Sequence, residues 1–455
     1  MAKEVLNNFA IAIGIAMVSI FLSFNDASAV PSFARQAGME CKACHTVFPE
    51  LTPLGRSFKL GGYLMTTSDK PYEFPPPLAG MAQISYTHTD RSQPKEVFED
   101  NWATRVTSRG NNVISIPQQL SMFYGGRLVY NIGAFVQGTY DGNADRSFLD
   151  NADIRFANNG TMFGRKLIYG LTVNNNPTAQ DVWNSTPAWG FPSATSGVAP
   201  TPAAATIIDG TLGQQVGGIG AYALWDNLIY AEASVYRTAR DGITKPLGAG
   251  THTDMVVDDA APYWRLVLQH QWEKKHSLSI GTYGMVADIF PDGSSSGPSD
   301  RFTDIAFDAQ YQYIVKDHFF SAQTTWIHED QDRDASFALG NTANKSDSLN
   351  TFRMNVNYYY RGHFGDIGGT VGYFSTTGDR DNVLYSPNPL DGSRTGKPDS
   401  DGFILEAGYL PWKAGKISLQ YTIYNRFNGS HSDYDGSGRN ASDNNTLFLL
   451  VWLMF

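Results

Sequence analysis

Cysteine is nearly absent from this chain: 455 residues contain two. That excludes a disulfide-stapled scaffold and any zinc site built from several thiolates. Charge is also sparse, at 17% of residues, below the ~25% of an ordinary soluble domain. The balance is acidic, with 34 Lys and Arg against 44 Asp and Glu, a net charge of −10. A basic face for nucleic acid is therefore missing, and no nucleic-acid partner is expected.

Long apolar runs are missing beyond the first thirty residues. Phe9 to Phe24 is uncharged and apolar, Lys3 precedes it, and Ala27-Ser28-Ala29 follows with the small-residue pattern of a cleavage site. We read 1–29 as a signal peptide for export; the other reading is an uncleaved anchor. Past it the longest apolar run is Leu447–Phe455, short of the roughly 20 residues a spanning helix needs. A barrel in the membrane stays open, because its strands need only about 9–11 residues each.

What is present is a two-part chain. Residues 30–75 are helix-tolerant, with Pro31, Pro49, Pro53 and Gly55 as breakers, and Pro75-Pro76-Pro77 forms a stiff joint. Beyond it the texture turns to Tyr, Gly, Asn and Thr with alternating polarity. Ile229, Ala231, Ala233 and Val235 oppose Tyr230, Glu232, Ser234 and Tyr236; Trp264, Leu266 and Leu268 oppose Arg265, Gln269 and Gln271; Ile417, Leu419, Tyr421 and Ile423 oppose Ser418, Gln420 and Thr422. A period of two gives each strand one dry and one wet face.

Sixteen strands are expected, near 79–89, 114–127, 132–141, 149–159, 164–175, 214–225, 228–238, 261–273, 276–288, 301–314, 317–329, 346–360, 366–376, 401–411, 415–428 and 444–455. Their connectors alternate between tight turns, such as Trp225-Asp226-Asn227 and Lys274-Lys275, and long loops. Outer-membrane barrels show this asymmetry, with short periplasmic turns and long outer loops. The expected fold class is mainly β: a porin-like transmembrane β-barrel of about 16 strands over 76–455, its outer face in lipid and its wet face lining the lumen. The longest loop, Pro177–Leu212, carries two tryptophans, Trp183 and Trp189; it either folds inward to narrow the channel or stays at the surface. The last strand ends in Phe455, like the signal that outer-membrane assembly machinery reads. Its second face (Phe448, Leu450, Trp452, Met454) is also apolar, and we expect it to pack against the N-terminal domain.

The two cysteines fall together in Cys41-Lys42-Ala43-Cys44-His45. Two thiols at this spacing can add to the two vinyl groups of one haem, and the adjacent imidazole reaches the iron from the proximal side. One covalent haem c is therefore expected on Cys41 and Cys44 with His45 as axial ligand. Met65 is the candidate distal ligand, with core filling as its other reading; Met81 and His88 are later candidates. A segment of this length rarely folds without a staple. The haem is one staple and the barrel lumen a second, which places the small domain in or against the periplasmic mouth. Carboxylates gather on the presumed outer loops (Glu96, Glu99 and Asp100; Glu329, Asp330, Asp332 and Asp334; Asp379 and Asp381; Asp433 and Asp435). Solvated loop charge is the favoured reading, iron coordination the other.

The run Pro31-Ser32-Phe33-Ala34-Arg35-Gln36-Ala37-Gly38, the Cys41–His45 motif, Pro49-Glu50-Leu51-Thr52-Pro53, Gly55-Arg56 and Phe58-Lys59-Leu60-Gly61-Gly62-Tyr63 resembles the outer-membrane monohaem c-type cytochrome–porin fusions of iron-oxidising bacteria. The match spans residues 31–63. The resemblance implies an oxidoreductase in the outer membrane of a Gram-negative cell, with the haem domain on the periplasmic or lumen side. It implies Fe(II) as electron donor outside the cell and a periplasmic electron carrier, a c-type cytochrome or copper protein, as acceptor. By that match Cys41, Cys44 and His45 carry the haem. Competing readings are a conduit for another extracellular redox partner and a solute channel whose haem domain is a plug.

Overall fold

The structure, a computed structural model, describes residues 32–64, 77–93, 95–99, 104–108, 110–240, 242–251, 253–412 and 414–455. The expected signal peptide, Met65, Pro75-Pro76 and Asp100 lie outside the described residues, as do the side chains of Glu96 and Glu99.

Sixteen antiparallel strands form a closed ring. They are β1 Leu78–Thr89, β2 Asn112–Val129, β3 Ile132–Asp141, β4 Arg146–Met162, β5 Arg165–Asn174, β6 Val216–Trp225, β7 Ile229–Thr238, β8 Ala261–Trp272, β9 His276–Phe290, β10 Asp300–Val315, β11 His318–Asp332, β12 Ser346–Gly362, β13 Gly365–Gly378, β14 Ser400–Trp412, β15 Gly415–Arg426 and β16 Thr446–Met454. Val256–Val257 adds a two-residue strand to β9, and Lys95–Glu99 with Thr104–Ser108 forms a separate hairpin inside the first long loop. Each expected strand is present. The seam joins first to last: β1 pairs with β16 from Met81↔Met454 to Thr89↔Thr446, and with β2 on its other side. Phe455 continues the seam, exchanging backbone hydrogen bonds with Gly80 at 2.6 and 3.0 Å.

The two faces of the wall follow the alternation. Along β8, Trp264, Leu266 and Leu268 look outward and are 42–56% exposed, whereas Arg265 and Val267 between them are at most 1% exposed. Ile219, Val235, Ile280, Ile305, Phe307, Met354, Val371, Leu405 and Leu419 continue the exposed apolar belt around the ring. A belt this extensive is stable only against hydrocarbon, which together with ring closure makes this a membrane barrel of the outer-membrane type. Near the short turns, Trp272, His276, Tyr311, Tyr313, Tyr358 and Tyr360 form an aromatic girdle, with His276 donating to or accepting from Tyr311 at 2.8 Å.

The tight turns require left-handed backbone. Phe163-Gly164, Asp226-Asn227 and Glu273-Lys274 all have positive φ at both positions, the geometry that matches the twist of paired strands.

In one respect the wall departs from the expectation. Its inward face is not wet along much of the ring: Thr172, Asn174, Ser234, Gln269, Asp304, Gln310 and Gln312 are all buried. Two insertions fill the lumen. The loop 177–212 folds inward, and Trp183 near its start is fully buried, packed edge-on against Tyr230 at 5.3 Å and donating from Nε1 to Gln269 at 3.0 Å. The second insertion is the N-terminal segment. It comprises α1 Ser32–Ala37, the single turn α2 Cys41–Cys44 and α3 Pro53–Leu60, whose N-cap Thr52 accepts from Gly55 N.

The acidic loop residues serve as loop fasteners. Asp381 accepts from the amides of Ala343, Asn344, Val383 and Leu384, and Asp435 from those of Leu390, Ser437 and Arg439. Glu329 is not on a loop at all. It lies in β11, buried in the lumen, where it accepts from Gln331. Among the described residues no group of three or more His, Cys, Asp or Glu is placed to hold a metal ion.

Candidate functional site

Segment 32–64 is held in the short-turn mouth of the barrel by buried polar contacts from three directions. Arg56 donates to Ser277 Oγ at 2.8 Å and to Gln312, while Glu50 accepts from Gln312 and Asn357, each at 2.7 Å. Lys59 donates to the carbonyls of Ala179 and Asp181 at 2.7 and 2.9 Å and sits over the Trp189 ring. Tyr63 donates to Asp153 at 2.5 Å; Asp153 also takes Arg155 at 2.8 Å and Thr172 at 2.8 Å. Burial lowers the pKa of Lys59 to about 7, and the neighbouring Arg155 adds to that effect. Burial likewise brings Arg56 down to about 10.

These contacts bring the sequence-predicted residues onto one cavity of about 460 Å³, within the range of small-molecule and cofactor sites. Cys41, Cys44 and His45 line it together with Phe58, Phe135 and Trp189. The cysteines stand three apart on one helical turn, so their side chains leave the same side. Both are half-buried and are not joined in a disulfide, and burial, with Cys41 beside it, pushes the Cys44 thiol up. His45 Nδ1 lies 3.3 Å from the carbonyl oxygen of Pro49. A carbonyl only accepts, so Nδ1 carries the proton and Nε2 keeps its lone pair. Burial holds the imidazole pKa down at about 4, against the raising effect of the Pro49 and Glu50 backbone, so the ring is neutral at ordinary pH.

Aromatic rings build the walls. Phe33 stacks on Tyr63 at 5.5 Å and meets Phe58 edge-on at 4.9 Å; Phe135 meets Trp189 at 6.2 Å. The barrel contributes Met81, Phe123, Trp452 and Met454. Trp452 and Met454 thus share this cavity with the N-terminal segment, whereas Phe448 and Leu450 of the same expected face are buried but do not line it. Met39, Met81 and Met454 are the thioethers on this cavity. His88 is on the outward face of β1, bonded to Asn112 at 3.0 Å, and does not reach the cavity.

The residues present fit a flat apolar macrocycle held by two thioethers. The pair of thiols, a neutral imidazole and a polycyclic aromatic lining open on one space large enough for such a group. Sequence reasoning missed Lys59, Asp181 and Trp189 as parts of this enclosure. The prolines and tryptophans of the long loop were the available signal for two of them.

Fold and site together define a closed 16-stranded outer-membrane-type barrel with an occupied lumen. No protein-family model matches the chain, and no curated protein matches it. Among solved structures it is similar to the outer membrane channel DcaP of Acinetobacter baumannii (10% identity, 83% of this chain and 96% of that one, TM-score 0.43), to the anion-selective porin from Comamonas acidovorans (11%, 83% and 98%, 0.42) and to OmpT, an outer membrane protein of Vibrio cholerae (9%, 83% and 96%, 0.41). The barrel assignment rests on the closed strand register of this chain itself.

Proposed function

We propose that the chain is an outer-membrane electron-transfer protein that oxidises extracellular Fe(II) through one covalent haem c and hands the electron to a periplasmic carrier. The observation that carries this reading is the convergence of Cys41, Cys44 and His45 on one aromatic-lined cavity inside the barrel mouth. Cys41 and Cys44 would hold the group through thioethers and His45 through Nε2. Such a haem supplies reversible one-electron chemistry.

The chain's own residues do the positioning. The Pro49 carbonyl orients the imidazole, the Thr52–Ala43 hydrogen bond of 2.7 Å ties the cysteine turn to α3, Arg56 ties α3 to the wall and Lys59 ties it to the inward loop. No acid–base residue is needed for outer-sphere transfer. The apolar band of such a barrel is about 25 Å tall, so a dissolved donor has to enter the outer half of the lumen.

The test is the mature protein purified from membranes. Intact mass should show one covalent haem, lost in Cys41→Ser/Cys44→Ser, and Fe(II) should reduce it at the growth pH of the source. A polypeptide free of any adduct, or a haem that stays oxidised under excess Fe(II), overturns the reading. The barrel itself supports a second reading, a solute channel. Liposome swelling with small sugars separates the two, because a conduit with a filled lumen should not admit them.

A further inference from the structure

The short-turn mouth carries a second recess, of about 290 Å³, immediately behind the cysteine turn. Its charged lining is of one sign: Lys42, Lys274, Lys275, Lys316 and Arg361, with His276 beside them and no carboxylate among the lining residues. In a chain of net charge −10 this is a local inversion. Some neutralisation exists at its edge. Glu40 lies 2.6 Å from Lys42, Asp317 4.0 Å from Lys316, Asp366 3.3 Å from Arg361, and Glu273 4.0 Å from His276. Most of these pairs are solvent-exposed and weak. Lys274 and Lys275 are exposed and have no ion pair among the described residues. Keeping four lysines and an arginine convergent on one hollow costs repulsion that a partner of opposite sign would relieve.

Position narrows what that partner is. Lys42 stands between Cys41 and Cys44, and Ala43, Thr52, Pro53 and Leu54 of the inserted segment form the floor. The recess therefore lies at the mouth between plug and wall, with His276 of the aromatic girdle also on its lining. We infer that this basic recess docks an acidic patch of a soluble periplasmic redox protein, bringing it against the Cys41–Cys44 turn. The inference rests on the conduit reading above and supplies the surface through which that conduit would discharge. Complementary charge of this kind acts chiefly on encounter rate and on choice of partner.

The experiment measures binding alone, so it does not depend on electron transfer. Full-length protein in nanodiscs is titrated at low salt with two purified carriers, an acidic plastocyanin and a strongly basic cytochrome c. The acidic carrier should bind, with affinity falling steeply as salt rises, and Lys274→Glu/Lys275→Glu should weaken it by about tenfold. Unchanged heat-modifiable mobility of that variant on gels shows that the barrel still forms; Lys274→Gln/Lys275→Gln, expected to be intermediate, serves if it does not. Equal binding of both carriers, or no response to either double variant, overturns the inference. So does an effect confined to co-purifying anionic lipid, which would make the recess a headgroup site. Absence of covalent haem would refute the conduit reading without altering these binding results.

Discussion

Gly133 on the barrel wall and Gly62 at the end of the inserted segment touch backbone to backbone: a Cβ on Gly133 would collide with the Gly62 carbonyl oxygen. Gly62 itself has φ +72°, a conformation that side-chain-bearing residues adopt at a cost. The closest approach of plug and wall thus depends on two missing side chains.

Gly133→Val should push the segment off the wall while β3 keeps its pairing. Overpacking of this kind costs about 1–3 kcal/mol. The expected outcome is faster protease cleavage within 32–64 with unchanged heat-modifiable mobility of the barrel.

Asp153 binds Tyr63, Arg155 and Thr172 in a buried knot. Tyr63→Phe removes one hydrogen bond and should cost about 1 kcal/mol. Asp153→Ala strands the buried Arg155 charge and should cost about 3–5 kcal/mol. Thermal unfolding in detergent should rank the two variants in that order; equal losses would show that Arg155 finds another partner.

Docking of the segment should depend on pH through Lys59, whose pKa falls from 10.5 to about 7 on burial. Between those values the released segment binds a proton that the docked one does not, so docking strengthens as pH rises across this window and is weakest below about 7. Protease protection measured from pH 7 to 10 should increase with pH in the native protein. The slope should flatten in Lys59→Met.

Asp181 folds the inward loop around itself, accepting from the amides of Trp183, Ser185 and Thr186 at 2.9–3.1 Å and facing Arg265 at 3.4 Å. Asp181→Ala leaves those donors buried without their acceptor. Single-channel conductance in planar bilayers should rise or become unsteady as the loop leaves the lumen; an unchanged trace would mean that its other anchors, Trp183 to Gln269, Ser185 to Asp308 and Asp209 to Arg353, hold it.

The strand pattern was legible because the wall separates two media. Ile229 and Tyr230 differ in polarity for the same reason that they face opposite sides, and Asp226-Asn227 announced its turn by tolerating positive φ. The direction of the 177–212 loop was not legible. Its anchors are long-range, as in Trp183 to Gln269, and local composition fits either outcome. The same holds for Arg56 and Lys59, which on sequence alone read as ordinary helix charges; their partners come from β9, β10 and the inward loop. Asp330 and Asp332 were misplaced onto a loop because β11 runs to Asp332, three residues beyond the expected end, and Glu329 was counted with them although it closed the expected strand. The grouping of Cys41, Cys44 and His45 was legible from their spacing, and the β16 side of the enclosure from its doubly apolar strand, while the parts drawn from the long loop and β1–β3 were not.

The seam between β1 and β16 has a consequence for biogenesis. A cylinder whose first and final staves must be zipped together stays open until nearly the whole polypeptide has been delivered to the assembly machinery. The cysteine-bearing segment immediately precedes the first stave, so it is synthesised early and waits longest. On the proposed reading, haem attachment to that segment would have a time window before enclosure, and a cell starved of the attachment apparatus should accumulate barrels sealed around an empty cradle.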